Sequence, residues 1–232
     1  MEFISSIFQP IVELLELILG MFHDVLSIAG IESYGVAIIV LTIIIKTLFY
    51  PLTVKQVKSM KGMQELQPKM KALQDKFKGD PKRLQAEMQK LYKEAGVNPM
   101  AGCLPLLAQM PILMAMFYAL QSIDYGGDPS FLWLANLSQP DPLYILPVLS
   151  AVSTFVVQKQ TTSKSGSAQT QMQMKIMSIV MPLFIGWISL NFAAGLVIYW
   201  IVNNVMQIIQ QWWMYRHEDI PQASAKKASK KG

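Results

Sequence analysis

The stretch YGVAIIVLTIIIKTLFYPLTV, residues Tyr34–Val54, decides how this chain is read. From Tyr34 to Ile45 it carries no charge; Lys46 interrupts it, and the apolar character resumes at Thr47–Tyr50. A helix crosses the hydrocarbon core with roughly 20 apolar residues, so 34–54 reads as a membrane span. A cation at that depth costs about 3 kcal/mol on the lowest scales, faces a polar cavity as a rule, and marks a function. The ordinary alternative is a lysine snorkelling from a helix end. Its stem reaches only about 6 Å by bond geometry. Lys55, the next charge, is roughly 13 Å away along a continuous helix at 1.5 Å per residue.

The rest of the composition agrees with a membrane chain. Of 232 residues, 52% are hydrophobic and 15% charged, against roughly 25% charged in globular domains, and mean hydropathy is positive. One cysteine, Cys103, leaves no internal disulfide and no cysteine metal cluster. His23 and His217 lie near opposite ends. With no His/Cys/carboxylate cluster, no glycine-rich phosphate loop and no Ser-His-Asp candidates, neither an enzyme nor a cofactor or metal site is expected. The start, Met-Glu-Phe-Ile, has neither the basic n-region of a secretory signal nor an Arg-rich transit pattern, so the chain reads as complete and bacterial.

Five spans are expected in an all-α polytopic fold: 34–54, 99–123, 142–158, 176–190 and 193–213. The charge-free run between Lys175 and Arg216 is too long for one crossing, and Ser189-Leu190-Asn191 with Gly195 supplies a turn within it. Around the spans lie an external segment 1–33, a hairpin 55–98, an external loop 124–141, a cytoplasmic loop 159–175 and a tail 216–232. Of the 20 basic residues, 19 fall on one face of this arrangement, at Lys55–Lys93, Lys159, Lys164, Lys175 and Arg216–Lys231. The opposite face has none, and Lys46 lies between. The positive-inside rule then places the N-terminus outside and the C-terminus in the cytoplasm. The third and fourth spans are short, which local bilayer thinning would accommodate.

Outside the spans, Ile4, Ile7, Ile11, Leu14, Leu15 and Ile18 recur at helical spacing among polar residues, predicting an amphipathic helix over 3–18 along the outer interface. The alternative is a sixth span through 17–31, which His23 and Asp24 interrupt. In the hairpin, Met63, Leu66, Met70, Leu73 and Phe77 form one apolar seam and Leu84, Met88, Leu91 and Ala95 another. Between them Gly79 suits a helix end, Asp80 a cap and Pro81 a first turn. Pro68 should kink the first helix or mark its start. Eleven basic against five acidic residues over 51–98 make the hairpin electropositive. That is either positive-inside charge alone or a docking surface for anionic headgroups or ribosomal RNA. The tail over 223–232 is basic, poor in apolar residues and expected to be disordered.

Several strings together resemble one family. Ile45-Lys46-Thr47-Leu48-Phe49-Tyr50-Pro51-Leu52-Thr53, Leu66-Gln67-Pro68-Lys69 with Leu91-Tyr92-Lys93, and Val97-Asn98-Pro99 are similar to segments of the YidC/Oxa/Alb membrane protein insertases. So are Gly102-Cys103-Leu104-Pro105, Gln109-Met110-Pro111-Ile112, and Gly195-Leu196-Val197-Ile198-Tyr199-Trp200 with Asn203 and Gln210-Gln211. The resemblance runs in order over residues 30–216. It implies five helices around a hydrophilic groove open to cytoplasm and lipid and closed outside, and an insertase and chaperone that integrates newly made membrane proteins. The family's groove cation falls on Lys46, and its groove-facing polar and aromatic positions on Thr42, Gln158, Tyr199 and Trp200. Asn203 joins them as a candidate. The hairpin is expected to receive substrates at Met63, Met70, Lys71, Lys82, Arg83 and Met88. Implied partners are nascent membrane proteins, the ribosome, the Sec translocon, the signal recognition particle pathway and the lipid bilayer. The large external domain of Gram-negative relatives and the lipidated cysteine of many Gram-positive ones have no counterpart in the sequence.

No Asp or Glu is expected within a span, so Lys46 must be hydrated or await a mobile anion, such as the acidic external tail of a substrate. Gln158, Asn203, Asn204 and Gln207 fit ordinary helix-to-helix hydrogen bonding as well as a wet groove. The methionines, 16 in all, fit core filling as well as a pliable binding surface. A small transporter or channel using Lys46 as gate or anion site, and a structural scaffold, remain the competing classes.

Overall fold

The computed structural model describes residues 2–97, 104–123, 129–161 and 168–217. They form eight α-helices: α1 (Glu2–Ile28), α2 (Tyr34–Leu48), α3 (Tyr50–Lys76), α4 (Pro81–Ala95), α5 (Leu104–Ser122), α6 (Ile145–Thr161), α7 (Ala168–Ser189) and α8 (Ala194–His217). Among the described residues the one β feature is an isolated bridge between Phe131 and Leu134. The helices α1, α2, α5 and α8 enclose the main core, in which Leu19, Ile38, Leu120, Leu137 and Tyr199 are almost wholly buried. Helix α6 packs on both α7 and α8, and α3 packs on α4.

Helix α1 is longer than the amphipathic pattern over 3–18, because that pattern does not stop there. Leu15 and Leu19 are buried, and Val12, Phe22 and Leu26 pack beside them, in contact with α2 and α5. Leu14, Leu17, Met21, Val25 and Ile28 form a second apolar stripe that faces outward. Glu13, Glu16 and Asp24 occupy the remaining arc. Glu16 accepts a hydrogen bond from Ser122 at the end of α5, and His23 stacks on Tyr34 with ring centroids 4.0 Å apart. The helix is therefore docked on the bundle by one apolar face and keeps another for its surroundings.

The expected single helix over 34–54 is two helices. α2 ends at Leu48, and α3 starts at Tyr50 after a bend of 62°. Pro51 is the cause: it has no N–H for the carbonyl of Thr47, and its ring would crowd that carbonyl in a continuous helix. Phe49 turns the corner with φ −84° and ψ 4°. Lys46 thus lies in the last turn of α2 rather than halfway along an unbroken span, and the first hairpin helix begins at Tyr50 rather than beyond Val54. Pro68 sits inside the continuous α3 instead of starting it.

The hairpin turns where the sequence changes character. Phe77 closes α3, and the Asp80 side chain accepts from the Arg83 N–H at 3.0 Å, capping α4 with Pro81 in its first turn. Gly96, at φ +65°, ends α4 in the left-handed conformation that glycine adopts without strain. Between the helices the Tyr92 hydroxyl donates to the Met70 sulfur at 3.7 Å, and burial pushes the Tyr92 hydroxyl pKa above its ordinary value. Lys71, Lys82 and Arg83 are exposed, and Met63 and Met88 half-buried.

The loop before α6 is pinned by Asp141, itself buried. Its carboxylate accepts from the Trp133 indole N–H and the Leu143 N–H at 3.0 Å each, and from the Leu146 N–H at 2.7 Å. α6 accordingly begins at Ile145, three residues beyond the expected start. The backbone N–H of Ala194 and of Gly195 donate to the carbonyls of Gln139 and Leu137, holding the start of α8 on this loop.

Large apolar side chains point outward from the bundle, among them Val152 and Phe155 of α6, Leu183 and Trp187 of α7, and Ile209 of α8. So extensive an apolar exterior is foreign to a soluble monomer. Among the described residues no single helix is long and apolar enough to cross a membrane alone; the bent pair α2–α3 meets that criterion together, and Lys175–Ser189 is a shorter apolar stretch. Cys103, residues 124–128, the loop 162–167 and the tail from 218 lie outside the described residues, so the expectations for them stand untouched.

Candidate functional site

The bend at Phe49 opens a cavity of about 320 Å³ between α2, α3, α5, α6, α7 and α8. Lys46 and Phe49 line it at the bend, and Thr53, Gln56, Val57 and Met60 continue the wall along the first turns of α3. Gln109 and Ile112 come from α5, Thr154 and Gln158 from α6, and Met181 and Ile185 from α7. Trp200, Asn203, Asn204, Gln207 and Gln211 form one stripe along α8. The wall is amphipathic, apolar side chains alternating with hydroxyls and carboxamides.

Lys46 is the one charged residue in this wall among the described residues. No described carboxylate lies within ion-pair distance of it, and no described side chain hydrogen-bonds its ammonium. Its position in the last turn of α2 puts it at the negative end of the helix dipole, worth about 0.3–1 kcal/mol to a cation. The Lys46 carbonyl itself accepts from the Gln210 side chain at 3.0 Å, which ties this end of α2 to α8.

The wall is held by hydrogen bonds between helices. The Trp200 indole N–H donates to the Thr154 hydroxyl at 3.0 Å, and the Asn204 amide to Ser153 and Thr154 at 3.1 and 3.0 Å. Ser150 donates to Ser189 at 3.0 Å between α6 and α7. Gln109 donates to the Tyr199 hydroxyl.

Of the expected groove residues, Lys46, Gln158, Trp200 and Asn203 come together at the cavity. Thr42 and Tyr199 do not line it. Thr42 is 1% exposed and returns its hydroxyl proton to the Ile38 carbonyl at 2.6 Å. Tyr199 is 1% exposed in the main core and reaches the cavity only through Gln109. Gln56 was not singled out from sequence, and Gln109 only as part of a family-like string rather than as a site residue. Gln109 carried a signal, a glutamine within the second expected span. Gln56 carried none, because its place at the wall depends on the bend. Met63, Met70, Lys71, Lys82, Arg83 and Met88 lie along the hairpin, away from this cavity.

The described residues form a helical bundle with an apolar exterior and an amphipathic cavity whose wall holds a single charged residue, Lys46, the class of a helical membrane protein. Comparison with known proteins narrows the class to a family. A family model described as 60Kd inner membrane protein matches residues 25–222. The chain is similar to a membrane protein insertase YidC of Clostridium perfringens, at 41% identity over 90% of this chain and 92% of that one. It is 44% identical to a protein of the same name from Geobacter sulfurreducens, over 79% of this chain but only 34% of that longer relative. A crystal structure of an active YidC insertase with its first transmembrane domain resolved superposes with a TM-score of 0.64 at 29% identity, covering 90% of this chain and 46% of that one. The chain belongs to the 60Kd inner membrane protein family and is a membrane protein insertase of the YidC type.

Proposed function

We propose that the chain integrates newly made membrane proteins by lodging the short external tail of each substrate in the Lys46 cavity while its apolar segment passes into lipid. The observation that carries this reading is Lys46: a cation in the cavity wall with no described carboxylate beside it. An acidic tail would supply the counter-charge. Two unit charges about 4 Å apart at an effective dielectric of 20 attract by about 4 kcal/mol, which offsets part of the tail's desolvation.

Partition of the substrate's apolar segment supplies the driving force, so neither bond-making chemistry nor a nucleotide is called for. The segment leaves between α6 and α8, the third and fifth spans. Five spans place the N-terminus outside and the hairpin and C-terminus in the cytoplasm, with the groove open to cytoplasm and lipid. The basic, methionine-bearing hairpin meets the nascent chain first, as ribosome, Sec translocon and signal recognition particle deliver it.

The experiment is insertion of a single-span substrate with an acidic external tail into liposomes containing the purified protein. Lys46→Ala is expected to reduce insertion about tenfold or more, and Lys46→Arg to preserve it. Unimpaired insertion with Ala would remove the charge from the mechanism.

A further inference from the structure

The cavity is richer in carboxamides than in charge. Gln109 and Asn204 are committed to Tyr199, Ser153 and Thr154. Gln56, Asn203, Gln207 and Gln211 also line the wall, and no side-chain hydrogen bond joins any of these four to another described residue. Gln211 is only 2% exposed, and its side-chain carbonyl oxygen is buried without a donor. A buried acceptor left in that state costs about 1–3 kcal/mol. Such a group calls for a partner, and an ordered water or a group entering the cavity is the kind that supplies one.

Their spacing carries the argument further. Asn203, Gln207 and Gln211 follow one another every four residues on α8, a repeat of about 6 Å along the helix axis. An extended polypeptide repeats every two residues at about 6.4–6.8 Å, with successive groups on one edge at that interval. Each carboxamide offers one acceptor and an NH₂ donor, the same complement as a peptide group. A polypeptide in a low-dielectric site must satisfy every backbone N–H and C=O.

We propose that Asn203, Gln207 and Gln211, with Gln56 of α3, bind the substrate's tail as an extended main chain. Side-chain identity along the tail then matters little, and uncharged polar tails are accepted as well as acidic ones. The proposal rests on the cavity reading above: Lys46 serves the tail's charge, and the amide ladder serves its backbone.

The test needs no variant of the protein in its first arm. Two single-span substrates carry neutral tails of alternating Ser and Gly, one of them with every Gly N-methylated. In protein-free liposomes the methylated tail crosses more readily, having fewer N–H groups to desolvate. With the wild-type protein the order is expected to reverse, the methylated tail inserting about fivefold more slowly, since each lost bond is worth a factor of about 2–10. Equal or faster insertion of the methylated tail overturns the ladder. In Asn203→Leu/Gln207→Leu the difference between the tails is expected to vanish; a difference that persists undiminished also overturns it. In Lys46→Ala the difference is expected to remain while acidic tails lose their advantage. As a readout separate from insertion, neutral tail peptides carrying a photoreactive group are expected to crosslink to α8, and their methylated counterparts not to. Crosslinking without any insertion would refute the insertase mechanism and leave the ladder standing, whereas absence of the crosslink refutes the ladder itself.

Discussion

Single residues in this chain are read correctly only with their neighbours. Asp141 looks from sequence like the charged boundary of a span, yet in the structure it is a buried hub for the N–H groups of Trp133, Leu143 and Leu146. Asp141→Ala leaves the indole and the Leu146 amide without partners and is expected to destabilise the fold by about 2–6 kcal/mol, at about 1–3 for each orphaned group. Thermal unfolding in detergent followed by tryptophan fluorescence checks this, and a melting temperature unchanged within a degree or so would refute it. Two helical glycines make a paired contrast. A Cβ at Gly35 would fall 2.2 Å from the Phe131 ring, whereas one at Gly20 meets nothing within 4 Å. Gly20→Ala is expected to stabilise by up to about 1 kcal/mol through helix propensity. Gly35→Ala is expected to destabilise by about 1–3 kcal/mol through overpacking. The same melts decide both, and identical shifts would show that the Phe131 contact exerts no constraint.

At the scale of the element, the α2–α3 junction governs the site. Local patterns were legible: the Gly79-Asp80-Pro81 turn follows from the sequence alone, and Asn203, Asn204 and Gln207 stand out as polar residues of a span, whereas Trp200 was reached only through the family resemblance. The wall contributed by Gln56, Val57 and Met60 was not legible, because it exists only after the chain bends by 62° at Phe49. Pro51 was in plain view, but a proline near a helix end is compatible with either a tolerated kink or a break. Thr42 and Tyr199 were misplaced for a related reason. Polar residues in an apolar run suggest a wet lining, whereas a threonine can return its proton to the preceding turn and a tyrosine can satisfy its hydroxyl with one glutamine. The bend carries its own prediction. Pro51→Ala restores the missing N–H and is expected to straighten the junction, drawing Gln56 and Met60 away from α8. Spin labels at Ile43 and Lys58 should then report a longer distance by double electron–electron resonance, with insertion reduced. An unchanged distance would show that tertiary packing, not Pro51, holds the bend.

Over the whole molecule, charge and hydropathy divide the chain along one axis. The segment before Tyr34 and the loop that ends at Asp141 contain Glu13, Glu16, Asp24, Glu32 and Asp141 but no Lys or Arg, while the hairpin holds Lys55 through Lys93. Between these poles runs the outward-facing apolar belt of α6, α7 and α8. The main core lies among α1, α2, α5 and α8, and the first turns of α3 line the cavity. The orientation we propose, with the hairpin inside, is the one the positive-inside rule favours in a bilayer whose cytoplasmic leaflet is anionic. Exposed Ala135 of the loop and exposed Lys82 of the hairpin, each replaced by cysteine in a Cys103→Ser background, report on it. Right-side-out vesicles should expose Ala135→Cys to a membrane-impermeant thiol reagent and protect Lys82→Cys, and inverted vesicles should reverse the pattern. Labelling of both positions from the same side would break the orientation, and with it the direction in which an acidic tail could move past Lys46.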